Sequence, residues 1–230
     1  MSTTLLKLIY FDIHGLGARI RLAARVGGLP LEDFRFPSRD VFTAMKLSGE
    51  LPFGQVPLLV VGGGEGDGGC TKIAQSSAIL RYVCSLSGLH PTGNLLSSAR
   101  IDAALAAEDD AFSPLRAVRY AARNGLGCLD EPALFTVMTA QLNEVVPRHL
   151  CNLEKVLSGS MSGWIADTPE PSAADFAWGT HLRDISVGGD TALPPSLIVD
   201  GPYPIIRVFL EKFLALPEVA KYYGEFPGLF

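Results

Sequence analysis

Three places in this sequence join residue types at spacings that carry chemistry. Tyr10 ends an apolar run, the pair Gln75-Ser76 precedes an amphipathic one, and Ser172 stands three residues before Asp175. A tyrosine hydroxyl, with an ordinary pKa near 10, keeps its proton at neutral pH and can donate a hydrogen bond to an anion. Taken alone, Tyr10 reads as a half-buried strand aromatic. Gln75 and Ser76 stand where the backbone N–H groups of a helix start face outward unpaired, which favours an anion. Capping by the Ser76 hydroxyl would use the same geometry. Ser172 and Asp175 fit a helix start in which both side chains accept from unpaired N–H groups, a structural device without chemistry of its own.

Other combinations are missing. Cys70, Cys84, Cys128 and Cys151 form no C-x-x-C pair, and His14, His90, His149 and His181 are equally scattered, so neither a metal site nor a disulfide framework is expected. GGGEGDGG at 62–69 is followed by no Gly-Lys-Ser/Thr, so it reads as a long hairpin connection and not a phosphate loop. Gly15-x-Gly17 lacks the third glycine of a dinucleotide-binding turn.

The elements that must position these residues fall into two groups. LLKLIYF (5–11) reads as a buried strand, followed by the turn HGLG and, in ARIRLAARVGG (18–28), a helix whose face is Ile20, Leu22, Ala23 and Val26 and which Gly27-Gly28 stop. LEDFRF (31–36) is a second strand in which Asp33 disturbs the alternation, and a helical stretch over 39–48 leads to PFGQVPLLVV, whose end is a third strand. CTKIA is a short fourth strand and 75–88 a helix. Beyond the Gly, Pro and Asn of GLHPTGN the pattern turns helical, over 95–123, 131–157, 172–186 and 203–223. Ser113-Pro114 is expected to kink or end the first of these.

The whole chain has 230 residues, 48% of them hydrophobic, and its 19 basic and 24 acidic side chains leave a net charge of −5. That is too apolar for a disordered chain and lacks the basic run that nucleic acid or an anionic membrane surface would require. Lys7 and Asp12 interrupt what would have to be a signal peptide, and no run is long enough to span a bilayer. A cytoplasmic protein with reduced thiols is expected.

Four stretches, in order along nearly the whole chain, carry a family resemblance. They are Tyr10-Phe11 with the Gly15 turn and Ile20-Arg21-Leu22, FGQVP at 53–57, QSSAILRYV at 75–83, and PSAADFAW at 171–178. Together they resemble the cytosolic glutathione transferases of the tyrosine type (sigma, pi, mu and alpha classes). The resemblance implies an α/β plus all-α architecture. A thioredoxin-like glutathione-binding domain would cover 1–87, and an all-helical domain over 95–230 would contribute the electrophile pocket. It also implies a homodimer, glutathione as co-substrate with no further cofactor, and a hydrophobic electrophile as second substrate.

On that resemblance Tyr10 is the catalytic residue, its hydroxyl holding the glutathione thiol as thiolate. Gln55 and the cis-proline turn Val56-Pro57 would present the Val56 backbone to the extended peptide, as in strand addition. Gln75 and Ser76 would bind the γ-glutamyl carboxylate. Lys46 is implied at the glycine end, where Phe42 replaces a family Trp and cannot donate an indole hydrogen bond. Leu16 likewise stands in place of a pi-like Arg. Asp110, beside Asp109 and Glu108, is implied to reach the γ-glutamyl ammonium across the dimer, and Phe53 to enter a hydrophobic socket there. Ile13, His14 and Tyr120, with the aromatic tail around Phe226 and Phe230, are implied to line the electrophile pocket. A glutathione-dependent isomerase resembling prostaglandin synthases would use the same Tyr10. A crystallin-like or ligand-carrying protein on this fold could dispense with it.

Overall fold

The computed structural model describes residues 5–62, 69–189 and 193–227. Most of the 62–69 glycine run and Phe230 lie outside the described residues. Among those described, the chain divides into two compact units, one formed by Met1–Asn94 together with Leu214–Phe230 and the other by Leu95–Phe213.

In the first unit the order is β1 (Leu5–Phe11), α1 (Gly15–Val26), β2 (Leu31–Phe36), α2 (Arg39–Leu47), β3 (Leu58–Gly62), β4 (Cys70–Ala74) and α3 (Ser76–Leu86). The four strands form one sheet in the order β2-β1-β3-β4. β1 and β2 are parallel, a pairing that needs a crossover, and α1 supplies it. β3 runs antiparallel to both β1 and β4. Side chains alternate along a strand. Leu6, Leu8 and Tyr10 of β1 therefore share one face, while Ile9 and Phe11 point to the other. Ile9 joins Phe36, Leu51 and Leu58 in a core cluster against which Phe42 and Met45 of α2 pack. On the other side, α1 and α3 contribute the fully buried Ile20, Leu22, Ala23, Ile79, Leu80 and Val83.

The second unit holds α4 (Leu95–Arg119), a 3₁₀ turn at Ala121–Asn124, α5 (Glu131–Ala140), a π-helical turn at Gln141–Val145 that runs into α6 (Val146–Ser158), α7 (Ala173–Ser186), the short α8 (Ser196–Val199) and α9 (Pro204–Leu214). α7 is its buried axis: the Trp178 indole donates to the Ala104 carbonyl at 2.9 Å, and Gly179 lets Phe213 approach where a Cβ would come within 2.7 Å. Asp175 accepts from the backbone N–H groups of Ser172 (2.7 Å) and Ile165 (2.8 Å), and the Ser172 hydroxyl also donates to it at 2.7 Å. The helix cap thus doubles as a pin on the preceding loop.

α4 runs through Pro114 to Arg119, so the proline does not end it: one missing N–H costs a single hydrogen bond, which a 25-residue helix tolerates. Its consequence is local: Pro114 cannot donate to the carbonyl of Asp110, four residues back. The helix expected over 203–223 is instead α9 and α10 (Pro217–Glu225), broken before Pro217, which occupies the first turn of α10. α10 packs on α1, so the last stretch of the range 95–230 falls with the first unit.

Candidate functional site

Tyr10, at the end of β1, is 7% exposed, and its ring fills a space that two glycines leave open. A Cβ at Gly17 would meet the ring at 2.5 Å, and one at Gly15 would lie 2.9 Å from the hydroxyl. Gly15 also has φ +38, outside the usual range of L residues. The Leu16 N–H, at the start of α1, donates to the Tyr10 hydroxyl oxygen at 3.2 Å. That bond uses an oxygen lone pair and leaves the phenolic proton to be donated. Ile13 flanks the same spot, its Cδ1 3.5 Å from where a Gly15 Cβ would be.

The sheet register brings two further features to the same end of the sheet. Ile9 pairs with Leu58, and Leu58 pairs with Ala74. One step further on lie Tyr10 in β1, Pro57 just before β3 and Gln75 just after β4. The Val56–Pro57 peptide is cis, with Pro57 buried, Val56 half-buried and Gln55 exposed. Gln75 caps α3 with φ 75 and ψ 117, a conformation that costs a non-glycine residue about 1–3 kcal/mol. Its side chain makes no capping hydrogen bond. The first N–H groups of α3 therefore face outward beside the exposed Gln75 and the half-buried Ser76.

Lys46, exposed in the last turn of α2, extends its stem over the Gly54 turn, its Cε 3.4 Å from where a Gly54 Cβ would stand. Within the acidic run 108–110 of α4, Glu108 is buried against His181 and Asp109 pairs with Arg116 at 2.6 Å, whereas Asp110 is exposed. Among the described residues, no side chain is paired with Lys46 or Asp110. No cluster of three or more His, Cys, Asp or Glu among the described residues could hold a metal ion.

No protein-family model matches the chain. A Caenorhabditis elegans protein described as a probable glutathione S-transferase, gst-36, is 35% identical over 228 residues, covering 95% of each chain. This chain belongs to the glutathione S-transferase family. The hematopoietic prostaglandin D synthase of Gallus gallus is 34% identical over 224 residues, 96% of each chain. Among solved structures, monomeric Na-GST-3, a glutathione S-transferase from the hookworm Necator americanus, superposes with a TM-score of 0.73 at 27% identity, covering 97% of this chain and 98% of that one.

The other residues that the sequence nominates have varied surroundings. His14 is 1% exposed, its Nδ1 3.1 Å from the Tyr222 hydroxyl and its Nε2 3.0 Å from the Phe226 carbonyl. It clasps α10 and the residue that follows it, and that C-terminal segment covers it. Phe226 is half-buried, its ring 4.4 Å from the Arg35 guanidinium, and it lines a cavity together with Asp12, Arg21, Asp33, Arg35 and Tyr222. Phe42 packs on Phe11 and Phe36 at ring distances of 5.0 and 5.6 Å, so it anchors α2 to the sheet. Tyr120 belongs to the second unit, half exposed at the start of the 3₁₀ turn with Arg119 against its ring.

Sequence reasoning missed Arg21 and Asp33. The Arg21 Nε lies 3.0 Å from both carboxylate oxygens of Asp33, while its other nitrogens donate to the carbonyls of Ile13 (2.7 Å) and Phe11 (3.2 Å). A signal was present: a basic residue inside the apolar run of α1 and an acid that breaks the alternation of β2 each call for a partner.

Proposed function

We propose that this protein is a glutathione transferase in which Tyr10 donates its phenolic proton to the glutathione sulfur and holds it as thiolate, the nucleophile that attacks a hydrophobic electrophile. The observation that carries the reading is the convergence of a buried Tyr10 ring, the cis Val56–Pro57 turn and the positive-φ Gln75 at one end of the sheet. A free thiol near pKa 8.5 is mostly protonated at neutral pH. Lowering that value by about two units takes about 2.7 kcal/mol of preference for the anion. One charge-assisted hydrogen bond supplies about 1.5–3 kcal/mol. Tyr10 is close to sufficient.

The remaining residues fit the tripeptide. Val56 offers its backbone N–H and C=O to an extended peptide, with Gln55 beside it. The start of α3, with Gln75 and Ser76, takes the γ-glutamyl carboxylate. Lys46 supplies a point charge for the glycine carboxylate, a role that Phe42 and Leu16 cannot share. Asp110 would meet the γ-glutamyl ammonium from the other subunit of a homodimer. Retention on immobilised glutathione with release by the free tripeptide tests this directly. A folded sample that passes through unretained would remove the reading and leave a non-enzymatic member of the family.

The 34% identity to a prostaglandin D synthase supports a second reading, a glutathione-dependent isomerase using the same thiolate. An isomerase regenerates its glutathione whereas a transferase consumes it. Titrating free thiol after many turnovers separates the two.

A further inference from the structure

Arg21 is 3% exposed and lies with its guanidinium carbon 5.7 Å from the centre of the Tyr10 ring, within the range of a cation–π contact. Its hydrogen bonds tie together three pieces of backbone. Nη1 and Nη2 hold the carbonyls of Ile13 and Phe11, in the segment that directly follows Tyr10, and Nε fixes the guanidinium to Asp33 on β2. The same carboxylate also accepts from Arg35 at 2.8 Å, and Arg35 pairs with Asp12 at 2.6 Å. From α10, Tyr222 faces Arg21; burial pushes its hydroxyl pKa up and Arg21 pulls it back. His14 bonds to that same hydroxyl.

We infer that Arg21 is a positioning residue for the thiol chemistry: it fixes the segment after Tyr10 and, as a buried cation beside the ring, makes the Tyr10 hydroxyl a stronger hydrogen-bond donor. The physical reason is that donation to a thiolate moves electron density onto the phenol, and a cation at the ring stabilises that density. Leu16 N–H, bonded to the hydroxyl oxygen, pulls in the same direction. Asp33 opposes the effect by neutralising part of the Arg21 charge. The inference rests on Tyr10 donating to the glutathione thiolate.

Two substitutions should therefore displace the thiolate in opposite directions. The test is the absorbance of enzyme-bound thiolate against pH, together with turnover of an activated aryl halide. Arg21→Met should move the midpoint for thiolate formation to higher pH and lower kcat/KM at neutral pH by about five- to thirtyfold. Asp33→Asn, which leaves the cation less neutralised, should move the midpoint to lower pH. Arg21→Lys, keeping the charge but not the fork of hydrogen bonds, should restore much of the midpoint. In a Tyr10→Phe background, Arg21→Met should change turnover by less than about threefold, because its route through the hydroxyl is gone. Midpoints that stay put, or that shift the same way in both single variants, would overturn the inference, as would equal losses in the two backgrounds. Where Arg21→Met does not fold, the downward shift in Asp33→Asn decides alone. Unchanged turnover in Tyr10→Phe would instead remove the role of Tyr10 on which the inference stands.

Discussion

At Tyr10, one oxygen atom separates an activating site from an inert one. Tyr10→Phe keeps the ring that fills the space beside Gly15 and Gly17 and loses only the hydroxyl, so the fold and glutathione affinity should be nearly unchanged. Conjugation turnover at neutral pH should fall by about ten- to a hundredfold, the rate equivalent of one charge-assisted hydrogen bond. The deficit should shrink as pH rises, because bulk alkalinity then forms the thiolate without help. Turnover of an activated aryl halide measured across pH for both proteins checks this. Equal rates at neutral pH would transfer the role to another donor, the Leu16 N–H being the nearest named one. His14 is unsuited to it, since both ring nitrogens are already engaged by α10.

Among the elements, α7 depends most on a single side chain. Asp175 is wholly buried and receives the N–H groups of Ile165 and Ser172. Asp175→Ala leaves both donors without their partner, at about 1–3 kcal/mol each, so the native state should lose about 2–6 kcal/mol in urea denaturation. A loss under about 1 kcal/mol would mean the loop relaxes to find other acceptors. Burial raises the Asp175 carboxyl above its ordinary 3.8, against the pull of its hydrogen bonds. A raised native pKa adds stability that is full below the unfolded value and fades as pH climbs through the native one. The gap between wild type and Asp175→Ala should therefore narrow as pH is raised above 3.8.

Local patterns explain which elements the sequence made legible. β1, α1, β2 and α3 announce themselves by apolar periodicity, and Ser172 with Asp175 by a fixed offset of three. The cis turn at Val56–Pro57 and the Gln75 start of α3 are legible through the family resemblance that FGQVP and QSSAILRYV carry. What stayed hidden depends on contacts across long stretches of chain. The grip of His14 on α10 joins residues 208 positions apart, and the second bond from Asp175 reaches back to a loop that no helix signature marks. Pro114 removes one donor inside α4 without ending it, since the helix runs on to Arg119.

For the molecule as a whole, the open choice is between one chain and two, and family membership does not make it, since a hookworm relative of the same fold is described as monomeric. Two exposed apolar features favour a pair. Phe53 is 66% exposed just before the Gly54 turn, and Leu95 and Leu96 are 82% and 65% exposed in the first turn of α4. Burying one such side chain contributes about 1.5–3 kcal/mol, and a stable interface needs roughly 1,000 Å² or more in all. The expected arrangement seats the Phe53 side of the first unit against the 95–123 helix of a second copy. Light scattering at micromolar concentration should then give twice the 24.6 kDa of the chain, and Phe53→Asp should shift that mass toward the single chain. Asp110 links assembly to chemistry. If it serves the γ-glutamyl ammonium from the other subunit, Asp110→Asn should raise KM for glutathione in the dimer and add nothing to the defect of a monomeric Phe53→Asp protein. A wild-type chain that scatters as a monomer would leave Asp110 as a solvated acid, and the ammonium of glutathione would need a partner within its own subunit.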